Sequence, residues 1–166
     1  MKRRAYLRLR ERYRRRGKFF VYADESGFEQ SVTRRYGRAP KGEKVYGLRS
    51  GHSRPRTSLI AARFENGGFE APILFEGTCN TDIFNMWLEQ HLCPLLNDTH
   101  VVVIDNAAFH KSAASKTLIE KTGATLLFLP PYSPDFNPIE NDFANLKTIR
   151  EYDENNTIDN IITVYN

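Results

Sequence analysis

His100-Val101-Val102-Val103-Ile104-Asp105 is an uninterrupted apolar run closed by an acid. A strand with one wet face alternates polar and apolar residues. A continuous run instead marks a strand buried on both faces, as in a parallel sheet covered by helices. The segments around it agree. Asn80 to Leu96 reads as a helix, because Ile83, Phe84, Trp87, Leu88, His91, Leu92 and Leu95 form one stripe, with Pro94 bending or ending it. On that stripe His91 reads as a core histidine. A second helix is predicted from about Ser112 to Thr122, with Leu118 and Ile119 inward and Gly123 as its stop. Ala124 to Leu129 reads as the last strand. A helix from Pro138 to about Tyr152 follows, with a core stripe of Ile139, Phe143, Leu146 and Ile149.

The first half has a different rhythm. Phe19 to Ala23 is aromatic and β-branched, a strand that Asp24-Glu25-Ser26-Gly27 ends or bulges. Lys44 to Leu48 is a second candidate strand, after a loop at Tyr36 to Gly42, and Thr57 to Phe64 is a third. Glu65-Asn66-Gly67-Gly68 is a hairpin signal, and Phe69 to Phe75 its return strand, placed at an edge by Pro72. An antiparallel meander leading into βαβ units predicts an α/β protein with a mixed sheet flanked by helices.

A chain of 166 residues makes one domain with a real core. No stretch approaches the roughly 18 apolar residues of a membrane span, and the basic N-terminus lacks the apolar segment of a signal peptide. Cys79 and Cys93 have no metal-ligand spacing and nothing requires them to pair, so the chain reads as cytosolic and reduced. The net charge of +4 conceals an asymmetry: residues 1–18 hold ten Lys or Arg against Glu11 alone, leaving the remainder at −5. Nine of the remaining bases fall between Arg34 and Arg63. Arg3, Arg4, Arg14, Arg15, Arg16, Arg34, Arg35, Arg54 and Arg56 are therefore candidate contacts to a phosphate backbone. Residues 1–18 read equally as a solvated basic arm or linker, and Tyr6, Leu7 and Leu9 offer little core. The tail, residues 153–166, is polar.

Leu129-Pro130-Pro131-Tyr132-Ser133-Pro134-Asp135-Phe136-Asn137-Pro138-Ile139-Glu140-Asn141 is a stiff loop feeding a helix, since its prolines exclude both helix interior and central strand. Asn137 reads as an N-cap and Pro138 as a first helical residue. Asn137-x-x-Glu140 has capping-box spacing, so Glu140 serves either the helix end or a site beside it.

Three carboxylates stand out by position: Asp24 after the first strand, Asp105 at the carboxyl end of the buried strand, and Glu140 at the last helix. If the first strand lies beside the buried one, the two aspartates meet and Glu140 approaches from the flank. Gathered like charges call for a cation, and oxygen donors favour Mg2+ or Mn2+. Two such ions about 4 Å apart suit phosphodiester chemistry, and a basic surface beside them suits nucleic acid. The dispersed histidines His52, His91, His100 and His110 argue against zinc.

Asp24-Glu25-Ser26-Gly27-Phe28, then Val102 to Lys111, then Leu129 to Asn141 resemble the DDE transposases of the mariner-like superfamily, nearest its bacterial insertion-sequence branch. Asp105 and Glu140 are separated by 34 residues, a spacing this family uses. Tyr36 to Pro40 and Ser58 to Ala62 also look family-like, so the resemblance runs from about Phe19 to Arg150. It implies an RNase H-like catalytic domain over residues 19–152. It implies Asp24, Asp105 and Glu140 as a catalytic, two-metal triad, with Asn106 and His110 in supporting positions. It implies DNA cleavage at transposon ends and strand transfer into a target duplex by a homodimer, in a bacterial cytoplasm at the nucleoid.

Such transposases usually carry helix-turn-helix domains ahead of the catalytic domain, whereas only the basic residues 1–18 precede it here. A separate helix-turn-helix product of another reading frame, or a truncated remnant, fits that pattern. A chain lacking such domains is expected to bind DNA without sequence preference. The other readings are a DNA-binding remnant without turnover and a general RNase H-like nuclease.

Overall fold

The computed structural model describes residues 2–29, 39–44, 56–153 and 156–165. Five strands form one sheet: β1 (Phe19–Glu29), β2 (Arg56–Phe64), β3 (Phe69–Glu76), β4 (His100–Ile104) and β5 (Thr125–Phe128), in spatial order β3-β2-β1-β4-β5. β1, β2 and β3 are antiparallel neighbours, while β4 runs parallel to β1 and β5 parallel to β4. The predicted mixed sheet is therefore present. Every residue of β4 is buried, as its unbroken apolar run requires. β3, with Pro72, is an edge. The candidate strand Lys44 to Leu48 lies almost wholly outside the described residues.

Side chains alternate along a strand, so each face of the sheet carries its own core. Val21, Ala23, Ile60, Ala62, Val102 and Ile104 pack on one face against Phe84 and Trp87 of the first internal helix, Leu88 just after it and Ile119 of the next helix. Those helices are α2 (Thr81–Trp87) and α3 (Ala113–Lys121). Asn80 caps α2 by accepting from the Ile83 amide, and Ser112 caps α3 by accepting from Ser115. Past Trp87 the helix widens into a π-turn over Leu88–Leu92 and tightens into a 3-10 turn at Cys93–Leu95, which holds Pro94. That change of pitch rotates the stripe. His91 is exposed rather than a core histidine, and Leu95 is exposed too.

The opposite face carries α1 (Arg3–Arg14), α4 (Ile139–Tyr152) and α5 (Ile158–Val164). Two readings of the sequence are corrected here. Residues 1–18 do supply core: Tyr6 is 0% exposed and packs with Phe20, Tyr22, Val101, Val103, Leu127 and Leu129. The polar tail holds a helix whose Ile158, Ile161 and Ile162 join Phe28, Leu59, Phe69, Ile139, Phe143 and Leu146. Ile149, assigned to the α4 stripe, is exposed instead. Arg63 of β2 bonds both carboxylate oxygens of buried Asp142, through Nε at 2.8 Å and through Nη2, and so fastens α4 to the sheet. Cys79 and Cys93 are unpaired. Among the described residues no helix is long and apolar enough to cross a membrane.

Candidate active site

β1 does not end at Ala23 but continues to Glu29, paired beyond Tyr22 only with β2. The parallel ladder between β1 and β4 stops at Tyr22↔Val103. Asp24 and Asp105 each lie two residues past that pair, where the two strands part. By alternation both continue the face of Phe20, Tyr22, Val101 and Val103, the face that α1 and α4 cover. The split between strands thus becomes a cleft of about 230 Å³ lined by Asp24, Asp105, Asn106, Asn137 and Glu140. Leu129 to Pro134 forms its wall, with Tyr132 fully exposed at the rim in a left-handed conformation, φ 53°. The sequence reading brought these three acids to one point, and all three line this cleft.

Each aspartate is held by neighbours. Asp24 Oδ1 accepts from the Glu25 amide at 2.8 Å, and its Oδ2 accepts from Asn137 Nδ2 at 2.7 Å. Burial raises the Asp24 carboxyl, and repulsion from Glu25, Asp105 and Glu140 adds to it, so that it titrates at about 7. Asp105 behaves oppositely. Burial favours its neutral form, but hydrogen bonds from His110 and the Ala107 amide hold it below the usual carboxylate range. His110 Nδ1 lies 2.5 Å from Asp105 Oδ1, and Nε2 lies 3.4 Å from Glu25 Oε2. The ring is fully buried between Phe84 and Phe109. Burial would lower its pKa, yet the two carboxylates prevail and raise it to about 9, so the group is an imidazolium at neutral pH. Asn106 Nδ2 donates to the Leu129 carbonyl and ties the end of β4 to the loop.

Asn137 departs from its predicted role. Its side chain caps nothing: the Glu140 amide reaches only the Asn137 backbone carbonyl, at 3.2 Å. The carboxamide is buried and turned to Asp24, and its Oδ1 has no partner. The capping-box spacing therefore concealed a site residue. The only hint in the sequence was that Asn replaced the usual Ser or Thr.

The arginines proposed for DNA divide into groups. Arg3 pairs with Asp135, Arg14 with Glu65 and Arg15 with Glu11. Arg4 and Arg16 are exposed on or beside α1. Arg34, Arg35 and Arg54 lie outside the described residues, as does the side chain of Arg56.

Among the described residues no three His, Cys, Asp or Glu side chains are drawn together tightly enough to hold an ion. Asp24 and Asp105 are instead turned to Asn137 and His110. The donor chemistry nevertheless fits a divalent cation. The cleft offers three carboxylates and two carboxamides, all hard ligands, and burial, with repulsion from Glu25, Asp105 and Glu140 added, holds a proton on Asp24 well above its ordinary range.

The sheet order and helical cover are those of the RNase H-like cores of transposases and integrases. Solved structures with this fold include the "Mos1 transposase paired-end complex with left transposon end", at 20% identity and TM-score 0.66 over 87% of this chain and 46% of that one. The "Mos1 Strand Transfer Complex" matches at 22% identity and TM-score 0.68 over 86% and 45%. The catalytic core domain of BIV integrase matches at 11% identity and TM-score 0.51 over 88% and 79%. The chain thus spans just under half the length of the Mos1 proteins in those complexes. No curated protein sequence matches significantly. The family described as "DDE superfamily endonuclease" matches residues 20–163, and the chain belongs to it.

Proposed function

We propose that this chain is the catalytic domain of a DDE transposase, which cleaves DNA at transposon ends and joins the freed 3′ end to target DNA. The convergence of Asp24, Asp105 and Glu140 on one cleft carries this reading. In it, these carboxylates hold two Mg2+ or Mn2+ ions. Bound ions would activate the attacking hydroxyl and stabilise the leaving oxygen. The protein's own groups set the geometry. His110 donates to Asp105 and keeps it ionised, and Asn137 donates to Asp24 and fixes its rotamer. The basic helix α1 shares the sheet face of the cleft and supplies charge for a phosphate backbone. The Mn- and Mg-containing Mos1 paired-end complexes, at 21% identity, support the choice of metal.

In the same reading the chain acts as a homodimer on paired ends. It belongs to the bacterial insertion-sequence branch and works in the cytoplasm at the nucleoid. A separate helix-turn-helix product would supply end recognition.

The test is incubation with supercoiled plasmid and a 3′-hydroxyl end oligonucleotide in Mg2+, Mn2+ or EDTA. Metal-dependent nicking and joining, both lost in Asp105→Asn, is the expected result. Nicking without joining would favour a general RNase H-like nuclease. Binding without either would mark a remnant.

A further inference from the structure

α1 touches the cleft's loop through one concentrated set of contacts. Arg3 Nη1 and Nη2 donate to the two carboxylate oxygens of Asp135 at 2.8 and 2.6 Å. The same Nη1 donates to Ser133 Oγ at 3.0 Å. The guanidinium lies over the Phe136 ring, 4.2 Å from its centroid, and Tyr6 stacks on that ring at 5.4 Å with planes 16° apart. All of these partners sit in or beside the 3-10 turn Pro134–Phe136. The next residue is Asn137, which holds Asp24, and three further on is Glu140.

A guanidinium fork that meets a carboxylate with two bonds fixes orientation as well as distance. As a contributor to global stability this pair is weak, because both side chains are about half exposed. Its placement matters more. The turn is the lever between α1 and two of the three cleft carboxylates, and metal sites tolerate about 0.5 Å of misplacement.

We propose that Arg3 is a positioning residue for the carboxylate cleft, acting through Asp135, Ser133 and Phe136 to hold Asn137 against Asp24 and to set the start of α4. This rests on the reading of the cleft as a divalent-metal site. It assigns Arg3 to the protein's own loop rather than to DNA.

The experiment is Mn2+ titration by calorimetry on the whole 166-residue chain without DNA, so that no phosphate contact enters. The proteins are wild type, Arg3→Ala, Asp135→Ala, the double variant, the charge swap Arg3→Asp with Asp135→Arg, and Asp105→Asn. Metal-free melting of each reports folding. Hydrogen-bond partners of ligating carboxylates are worth about 10-fold or more in metal affinity, so a residue one step further out is expected to cost about fivefold. Arg3→Ala and Asp135→Ala should each weaken Mn2+ by that amount. The double variant should lose no more than either single one, the swap should recover part, and metal-free melting should barely move. Wild-type Mn2+ affinity in Arg3→Ala, beside loss of binding in Asp105→Asn, overturns the proposal and leaves the metal reading standing. So do additive losses in the double variant, or losses matched by a fall in metal-free melting temperature. Failure of the wild type itself to take Mn2+ overturns both.

Discussion

Asn137 shows how one side chain changes the meaning of its neighbours. Its Nδ2–H donates to Asp24 Oδ2, an oxygen that accepts in either protonation state of the carboxyl. Asn137→Ala is expected to weaken Mn2+ binding about 10-fold. Asn137→Asp loses the same hydrogen bond but adds a hard anionic donor to the cleft, so it should weaken binding less than Asn137→Ala. Calorimetric titration at pH 8 reads both, and unchanged affinity in Asn137→Ala would remove the residue from the site. Asp24 and His110 also make the metal-free protein sensitive to pH. Asp24 titrates at about 7 in the fold against 3.8 ordinarily, so the fold binds its proton more tightly than the unfolded chain does. The stability tied to that proton is present at low pH and is lost as pH rises towards 7. His110, raised from 6.5 to about 9, adds a loss of the same sign between those values. Melting temperature in EDTA should therefore fall from pH 5.5 to pH 9. Asp24→Asn should flatten the lower part of the curve and Mg2+ should flatten the part above pH 7. A metal-free melting temperature that climbs over this range would contradict both assignments.

At the scale of elements, the acids were legible because strand ends are legible. The apolar run of β4 stops at Asp105, and the strand reading of Phe19 to Ala23 put Asp24 directly after that strand. Glu140 was legible because prolines bracket its loop. What tied these elements together was not. Arg3 and Asp135 lie 132 residues apart, and Arg63 and Asp142 lie 79 apart. No periodicity links such pairs. α1 looked like an arm because Tyr6 is its one fully buried side chain, set among arginines. α5 was missed because it is a single short helix after a polar stretch, and short helices owe their stability to tertiary packing. The Arg63–Asp142 pair carries a further consequence. Asp142 is buried, it accepts from Arg63 and from the Tyr165 hydroxyl at 2.9 Å, and it lies half a turn from Glu140 on α4. Removing one partner of a buried pair costs about 3–5 kcal/mol. Arg63 keeps some solvent access, so Asp142→Ala is expected to cost about 2 kcal/mol. Urea unfolding checks this, and a joint Arg63→Met, Asp142→Leu variant should regain most of the loss. A loss below about 0.5 kcal/mol, the usual range of surface changes, would mean that the sheet holds α4 without this pair.

Over the whole molecule, charge is divided between a basic helix and an acidic cleft on one sheet face. The ten bases of residues 1–18 do not all have the same freedom to meet DNA. Arg3 and Arg14 are tied to Asp135 and Glu65, whereas Arg8 and Arg12 of α1 and Arg16 just beyond its end are exposed, spaced four residues apart. Each cation that neutralises a phosphate releases about 0.9 counterion, which appears as one step in the dependence of log affinity on log salt. Replacing Arg8, Arg12 and Arg16 together by Gln should therefore weaken duplex binding and reduce the salt slope by about 2–3. The loss should be equal for inverted-repeat and random DNA, because phosphate contacts carry no sequence information. Arg3→Ala should leave the slope unchanged while it weakens Mn2+ binding. Fluorescence anisotropy between 50 and 300 mM salt separates these outcomes. An unchanged slope in the triple variant would move the DNA surface off α1, and a lowered slope in Arg3→Ala would return that arginine to the phosphate-binding set.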